Sequence, residues 1–320
     1  MRILFISANR LGDAVLSTGL IDALHAQFPQ ARFTVACGPA AAGVFEAVPN
    51  LDRLIIMEKK PWAGHWWELW KKVVLTRFWL IIDLRGSGIG QFLLSRRRRT
   101  FHGSGSRLHK AIVLSQFLKL KHIAAPRLWV KDEAVKAARK LWPDDGRPVL
   151  AIGPTANWGG KIWPGERFAE LALRLTAADG ILPNARIAVF GGPGEEALAA
   201  PALGNLPADR TLDFVGKLDL QTIGAAMKRC DLYIGNDSGL MHLAAATGTL
   251  TLGLFGPSRE EVYGPWGERN GAVRTNRSLE EIVGEPGYDF RSQESRMLDL
   301  SVDKAQRAAE SLWKHAQDED

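Results

Sequence analysis

The chain has 320 residues, 46% of them hydrophobic and 24% charged, with a net charge of +6. A length of this size corresponds to about two domains, and the composition excludes a disordered, collagen-like or coiled-coil protein. Two cysteines, Cys37 and Cys230, are too few for a disulfide framework or a thiolate metal cluster, so a reducing compartment is expected. The apolar run Ile3 to Ile6 is interrupted by Ser7 and Asn9, too short for an export signal. No stretch approaches the ~20 apolar residues of a membrane span. The expected location is the cytoplasm, with at most peripheral contact with the inner face of the membrane.

Charge is unevenly spread. Residues 1–145 hold 23 Lys and Arg against 11 Asp and Glu; residues 146–320 hold 18 against 24. The first half therefore suits an anionic partner: nucleic acid, an anionic membrane or a phosphorylated substrate. Nucleic acid is not expected, because no RRM, KH or helix-turn-helix signature accompanies the charge.

In chain order, the first expected element is a strand at Arg2–Ile6, then a loop at 7–12 and a helix over 13–28 with an apolar face, ended by Pro29. Strands follow at 32–37, 53–57 and 78–84. Residues 142–148 are turn-rich and polar and serve as the expected linker, dividing an acceptor-side domain (1–145) from a nucleotide-sugar domain (146–320). The alternation then restarts: strands at 149–153, 185–191, 212–215, 232–235 and 249–255, helices at 164–178 and 194–200, a helix from Ser238, and an amphipathic tail helix at 302–316. Strands alternating with helices predict α/β architecture, two Rossmann-like doubly wound parallel sheets. Ligands of such sheets bind beyond the carboxyl ends of the strands. Two sheets facing each other would form one cleft.

Four constellations lie at expected strand ends. In Asn9-Arg-Leu-Gly-Asp13, the carboxylate of Asp13 follows Gly12 where a helix begins; it suits a general base for a hydroxyl, and equally a helix cap. In Gly153-Pro-Thr-Ala-Asn-Trp-Gly-Gly-Lys161, loop amides, Thr155, Asn157 and the Lys161 point charge suit a diphosphate and the charge that develops on it as it leaves. This is not a Walker A loop, because Gly-Lys-Ser/Thr is missing. In Gly191-Gly-Pro-Gly-Glu-Glu196, Gly192 and Glu195 suit a ribose, and also an ordinary helix start. In Gly235-Asn-Asp-Ser-Gly-Leu-Met-His242, Asp237, Ser238 and Gly239 open a helix whose amides can take an anion, with His242 one turn in. Leu254-Phe-Gly-Pro-Ser258 is another exit at the same edge.

In this order, the four motifs resemble the family 9 glycosyltransferases, the heptosyltransferase group of lipopolysaccharide inner-core synthesis. The Asp237–His242 motif with its Leu-Phe-Gly-Pro close is the most specific part, and Arg10-Leu-Gly-Asp13 is next. The resemblance implies a GT-B fold whose last helix crosses back to the first domain. It also implies an inverting, metal-independent transfer with no cofactor, using an ADP-linked heptose and an anionic glycolipid acceptor of lipid A type. It makes Asp13 the base, Lys161 and Thr155 diphosphate contacts, Glu195 the ribose acid, and Asp237, Ser238, Gly239 and His242 the donor-site turn.

The acceptor is expected to meet Lys59, Lys60, Arg85, Arg97 and Arg98. Five of the 11 tryptophans fall between Trp62 and Trp79, among lysines. They suit a membrane interface, or a helix packing its indoles on its own sheet. Arg96-Arg-Arg-Arg99 suits acidic sugars or phosphates, or a solvated face. Other activities remain open: an epimerase of the same fold, a nucleotide-sugar-binding protein without catalysis, or a nicotinamide oxidoreductase. Asn9-Arg-Leu-Gly12 is not the Gly-x-Gly-x-x-Gly that the oxidoreductase needs.

Overall fold

A computed structural model describes residues 1–103 and 105–319. The chain divides into two compact units, Met1–Lys131 and Asp132–Asp320.

The first unit is built on five parallel strands: β1 (Arg2–Ile6), β2 (Arg32–Cys37), β3 (Leu51–Ile56), β4 (Phe78–Asp83) and β5 (Ser95–Thr100), in the order β3-β2-β1-β4-β5. Its helices are α1 (Leu11–Gln27), α2 (Ala42–Phe45), α3 (Gly64–Val73) and α4 (Lys110–Phe117). Ile3, Leu4, Phe5 and Ile6 are all fully buried, which is why β1 is an unbroken apolar run and not an alternating one: a central parallel strand is covered on both faces. α1 is buried over nearly its whole middle. At Gly19 the chain returning through Ala124 crosses it so closely that a Cβ would lie 2.4 Å from the Ala124 carbonyl oxygen. One residue earlier, Thr18 Oγ1 accepts a hydrogen bond of 2.8 Å from the Arg127 amide.

The Arg96–Arg99 run is neither a loop nor a helix. It is the edge strand β5, in register with β4 through Leu80↔Arg97 and Ile81↔Arg98. All four arginines are exposed. A charged edge of this kind resists addition of a further strand.

The second unit has six parallel strands: β6 (Val149–Gly153), β7 (Arg186–Val189), β8 (Thr211–Asp213), β9 (Leu232–Asn236), β10 (Thr251–Phe255) and β11 (Gly271–Arg274), in the order β11-β10-β9-β6-β7-β8. Its helices are α5 (Asp132–Arg139), α6 (Gly165–Leu175), α7 (Glu196–Leu203), α8 (Leu220–Met227), α9 (Gly239–Thr247), α10 (Glu260–Tyr263), α11 (Leu279–Val283) and α12 (Val302–Glu319). This is the doubly wound dinucleotide-binding order, and its direction reverses between β6 and β9. Within this unit α12 packs on α6, β10 and β11.

The second unit begins before the expected linker. α5 packs on α8, and Trp142 is buried against Phe214. The Arg229 guanidinium lies 4.3 Å over the Trp142 ring and donates to the carbonyls of Ala138 and Trp142. Residues 142–148 are polar and turn-rich, yet one indole and one guanidinium anchor them, so the units part at 131/132 and not at 145/146.

Trp163 is the largest wholly buried side chain of this unit. It packs edge-on against Phe168 at 5.0 Å, and its indole Nε1 donates to the Leu300 carbonyl at 2.9 Å. Trp163→Ala leaves a cavity and removes one of the two donors to the Leu300 carbonyl, Arg167 being the other. The expected cost is about 3–5 kcal/mol of stability, read as a lower midpoint in chemical denaturation; a change below about 1 kcal/mol contradicts this packing role.

Candidate active site

All strands of the second sheet run one way, so the loops after β6, β7 and β9 leave by the same edge. The point where strand order reverses is where such sheets open a ligand crevice. There Gly153 of β6 stands in register with Gly235 of β9. The Tyr233 hydroxyl fills the space over both: a Cβ would meet it at 1.9 Å on Gly153 and 2.5 Å on Gly235. Both glycines are therefore required by a buried ring. Burial pushes the Tyr233 phenol well above its ordinary pKa and keeps it neutral.

The three loops are tied together by their candidate residues. Lys161 closes a 3-10 turn, Gly159–Lys161, and its Nζ donates to Asp237 Oδ2 at 2.5 Å. That joins the loop after β6 to the loop after β9. Thr155 Oγ1 donates to Glu195 Oε2 at 2.6 Å, and the Gly192 amide donates to the same oxygen at 2.7 Å. That joins the loops after β6 and β7. The Trp163 amide donates to Asn236 Oδ1 at 3.0 Å. Asp237 and Thr155 are buried, so their polar atoms are set by partners and not by solvent.

Ser238 is the N-cap residue of α9, and its side chain makes no capping hydrogen bond. Gly239 is the first helical residue, and the first-turn amides stand at the crevice edge as a place for an anion. His242 is buried in the next turn. Asn157 is exposed and accepts and donates no hydrogen bond among the described residues, so it is not drawn into this cluster.

The sequence did not point to a further layer. Residues 292–296 strap the Lys161 turn: Trp158 Nε1 donates to the Ser292 carbonyl, the Gly159 amide to Gln293 Oε1, and the Arg296 amide to the Gly160 carbonyl. These partners lie some 130 residues downstream in a polar loop, with no motif to mark them. Asn236 lies inside a motif that was recognised, and only the fold shows that it positions Trp163.

In the first unit, strand order reverses between β1 and β4, and Asp13 stands just past the end of β1. It is the third residue of α1, half-buried, next to Gly12. The N-cap position belongs to Arg10, with no side-chain cap. Among the described residues the Asp13 carboxylate has neither a hydrogen bond nor an ion pair, so no cap uses it. Asp83, at the end of β4, is the opposite case. It accepts from the amides of Arg85 and Ser87 and from the Ser87 hydroxyl, at 2.7–2.9 Å, and holds its own turn.

The expected acceptor cations are not one cluster. Arg85 lies 4.5 Å over the Trp66 ring, and burial lowers its pKa against the opposing pull of Asp83. Lys60 is paired with Glu68 at 2.5 Å; Lys59 is exposed. Arg98 Nε donates to the Gly90 carbonyl and its Nη2 to the Leu93 carbonyl. Arg97 stacks 5.1 Å from the Trp79 ring. Neighbouring strand residues point to opposite faces, so Arg97 and Arg98 do not act side by side. Burial lowers the His65 pKa, with Arg85 and Lys59 adding to the shift.

The thiols are buried, and desolvation pushes Cys37 up to about 12 and Cys230 higher still, so neither is a nucleophile. Among the described residues no three His, Cys, Asp or Glu side chains are grouped to hold a metal, and no helix is long and apolar enough to cross a membrane.

Known proteins are similar to this chain in sequence and in fold. The lipooligosaccharide heptosyltransferase 2 of Campylobacter jejuni is 25% identical over 84% of this chain and 86% of its own. The lipopolysaccharide heptosyltransferase 2 of Salmonella typhimurium is 24% identical over 86% of this chain and 88% of its own. The solved ADP-heptose lipopolysaccharide heptosyltransferase II of Escherichia coli superposes with a TM-score of 0.78 at 19% identity, over 99% of this chain and all of that one. Two α/β units of this kind constitute the GT-B fold. The sequence model of glycosyltransferase family 9 (heptosyltransferase) matches residues 110–285, which include every loop of the Lys161–Asp237 crevice, and on that match and this fold the chain belongs to glycosyltransferase family 9.

Proposed function

We propose that this chain transfers a heptose, with inversion, from an ADP-linked donor to an anionic glycolipid of the lipopolysaccharide inner core. The observation that carries this reading is the convergence of three loops at the β6/β9 reversal, where Lys161, the start of α9 and Glu195 stand together. In this reading Glu195 takes a ribose hydroxyl, while Lys161 and the α9 amides hold the diphosphate. Asp13 removes the proton of the acceptor hydroxyl. The freed oxygen bonds to the anomeric carbon as the bond from that carbon to the diphosphate breaks, and ADP leaves with the electron pair. In this reading Lys161 offsets that charge, and the transfer uses neither metal nor cofactor. The enzyme works in the cytoplasm and meets its acceptor at the inner face of the membrane.

Thermal denaturation with ADP, UDP, GDP and NAD tests the reading. A ligand bound at a hundred times its Kd adds about 2.7 kcal/mol, a rise of about 4 °C for a chain of this size. ADP is expected to give the largest rise, and ADP-heptose with a core acceptor to give product. A larger rise with NAD would remove the transferase assignment; product formed from the donor with no acceptor present would make the enzyme an epimerase.

A further inference from the structure

The tryptophan-rich segment divides into two faces. His65, Leu69 and Val73 of α3 are buried, and Trp66 and Trp70 pack against the same core. The other face carries Trp67 among the charged residues Glu68, Lys71 and Lys72, all exposed, and no described residue of its own unit covers it. Trp62 is 99% exposed, Trp67 is 55% exposed, and Leu75 beyond the helix is 94% exposed. Phe92, 73% exposed, belongs to the same surface, because its carbonyl accepts from Trp70 Nε1 at 3.1 Å and Trp70 stacks on Trp67 at 4.7 Å.

Trp62 is held out by its backbone. Trp62 and Ala63 are consecutive residues with φ of 53° and 57°, the left-handed region that non-glycine residues enter at a cost. Such strain is retained where surrounding structure imposes it. Here it turns an indole into water.

The cations of this surface are exposed as well. Lys71 lies 5.3 Å from the Trp67 ring centroid, and Lys72 follows it. The nearby Glu68 carboxylate is occupied by Lys60. Exposed indole and phenyl rings bordered by Lys71 and Lys72, which form no ion pair among the described residues, match the boundary between lipid headgroups and acyl chains: rings enter the boundary and ammonium groups meet phosphate.

The position in the fold agrees. β3 ends at Ile56 and α3 runs back to β4, so Trp62 and the first turn of α3 lie at the carboxyl edge of the sheet, the edge that carries Asp13. Arg85, just past the carboxyl end of β4, stacks on Trp66 of that first turn.

We infer that the outer face of α3, the Trp62 turn and Phe92 form a docking surface for an anionic phospholipid bilayer. The inference rests on the reading that the acceptor is lipid-borne. It adds that the bilayer itself is a ligand, separate from the acceptor.

The test is flotation of the full chain with phosphatidylcholine vesicles and with vesicles containing about a third phosphatidylglycerol, all free of glycolipid. Binding is expected only to the anionic vesicles and to weaken with salt. A triple variant, W62S/W67S/F92S, and separately K71Q/K72Q, are expected to lower the partition coefficient about tenfold or more. Both variants are expected to keep the wild-type transfer rate on a delipidated core acceptor, while losing rate on acceptor embedded in anionic vesicles.

No binding to glycolipid-free anionic vesicles overturns the inference, as does binding that appears only when the acceptor is added. Self-association abolished by the triple variant without vesicle binding assigns the face to a second copy and equally overturns it. Loss of transfer by the wild type on every acceptor would instead overturn the proposed function, whatever the vesicles show. Retained vesicle binding by both variants, with their folding checked by thermal denaturation, refutes the residue assignment.

Discussion

Asp13→Asn is expected to lower the transfer rate about 10²–10⁴-fold, the usual contribution of a positioned general base, with ADP binding unchanged. Asparagine keeps the size of the side chain at the third position of α1 but cannot take a proton. Because the carboxylate has no partner among the described residues, nothing else should come apart with it. The one structural role left to it is to complement the positive end of α1, worth about 0.3–1 kcal/mol. Kinetics and thermal denaturation therefore separate the two roles. A large fall in kcat with Tm nearly unchanged supports the base; a normal kcat with a lowered Tm makes Asp13 a helix-start residue and removes the assigned role.

Lys161→Ala is expected to cost about 10²–10³ in kcat, the effect of losing one preorganised group at a developing charge, and to weaken ADP as well. The second effect distinguishes it from Asp13→Asn, which leaves ADP binding alone. Stability enters too, since Lys161 is the partner of Asp237. Asp237 has a side chain only 6% exposed, and Lys161 is 24% exposed. Removing one partner of a fully buried pair costs about 3–5 kcal/mol, and the partial exposure of Lys161 reduces this to about 1–3 kcal/mol. The double variant Lys161→Met/Asp237→Asn removes the stranded charge. It is expected to recover most of the Tm while transfer stays low. If transfer recovers along with Tm, Lys161 is a structural partner of Asp237 and not a group that acts on the diphosphate.

The two variants probe different units of the chain. Asp13 belongs to the unit with the basic sequence, and Lys161 to the unit with the acidic one. In the proposed reading, anion binding in the second unit falls to Lys161 and to the helix-start amides of α9. A single charge change there is therefore expected to have a large effect, and surface charge changes elsewhere a small one.

What was legible beforehand depended on the range of the interaction that decides it. The strands β1, β2, β6, β9 and β10, the start of α1 and the turn that opens α9 are local: apolar runs, glycines and a following helix pattern specify them within a few residues. The pairing of motif to strand end was legible for the same reason, and so were Asp13, Thr155, Lys161, Glu195 and Asp237 as candidates. The Arg96–Arg99 run was not legible as a strand. Four identical charged residues show no period of two, and only pairing with β4 makes them one. The segment 142–148 looked like a boundary because its composition is that of a turn. A single indole, buried against Phe214 and held by Arg229, attaches it to the second unit.

Two parallel α/β sheets, and the candidate residues in the loops after their strands, could be read from the chain alone, because periodicity and glycine placement are encoded residue by residue. Which groups meet depends on the folded chain as a whole. Lys161 reaches Asp237 across 76 residues, Thr155 reaches Glu195 across 40, and the 292–296 strap closes over the Lys161 turn from farther still. Those contacts depend on the order in which strands pair, a cooperative property of the whole sheet that no local window contains. The same holds for α3. Its pattern of tryptophans was visible from the start, but which of them face the core and which face outward was decided by where α3 lies on its sheet.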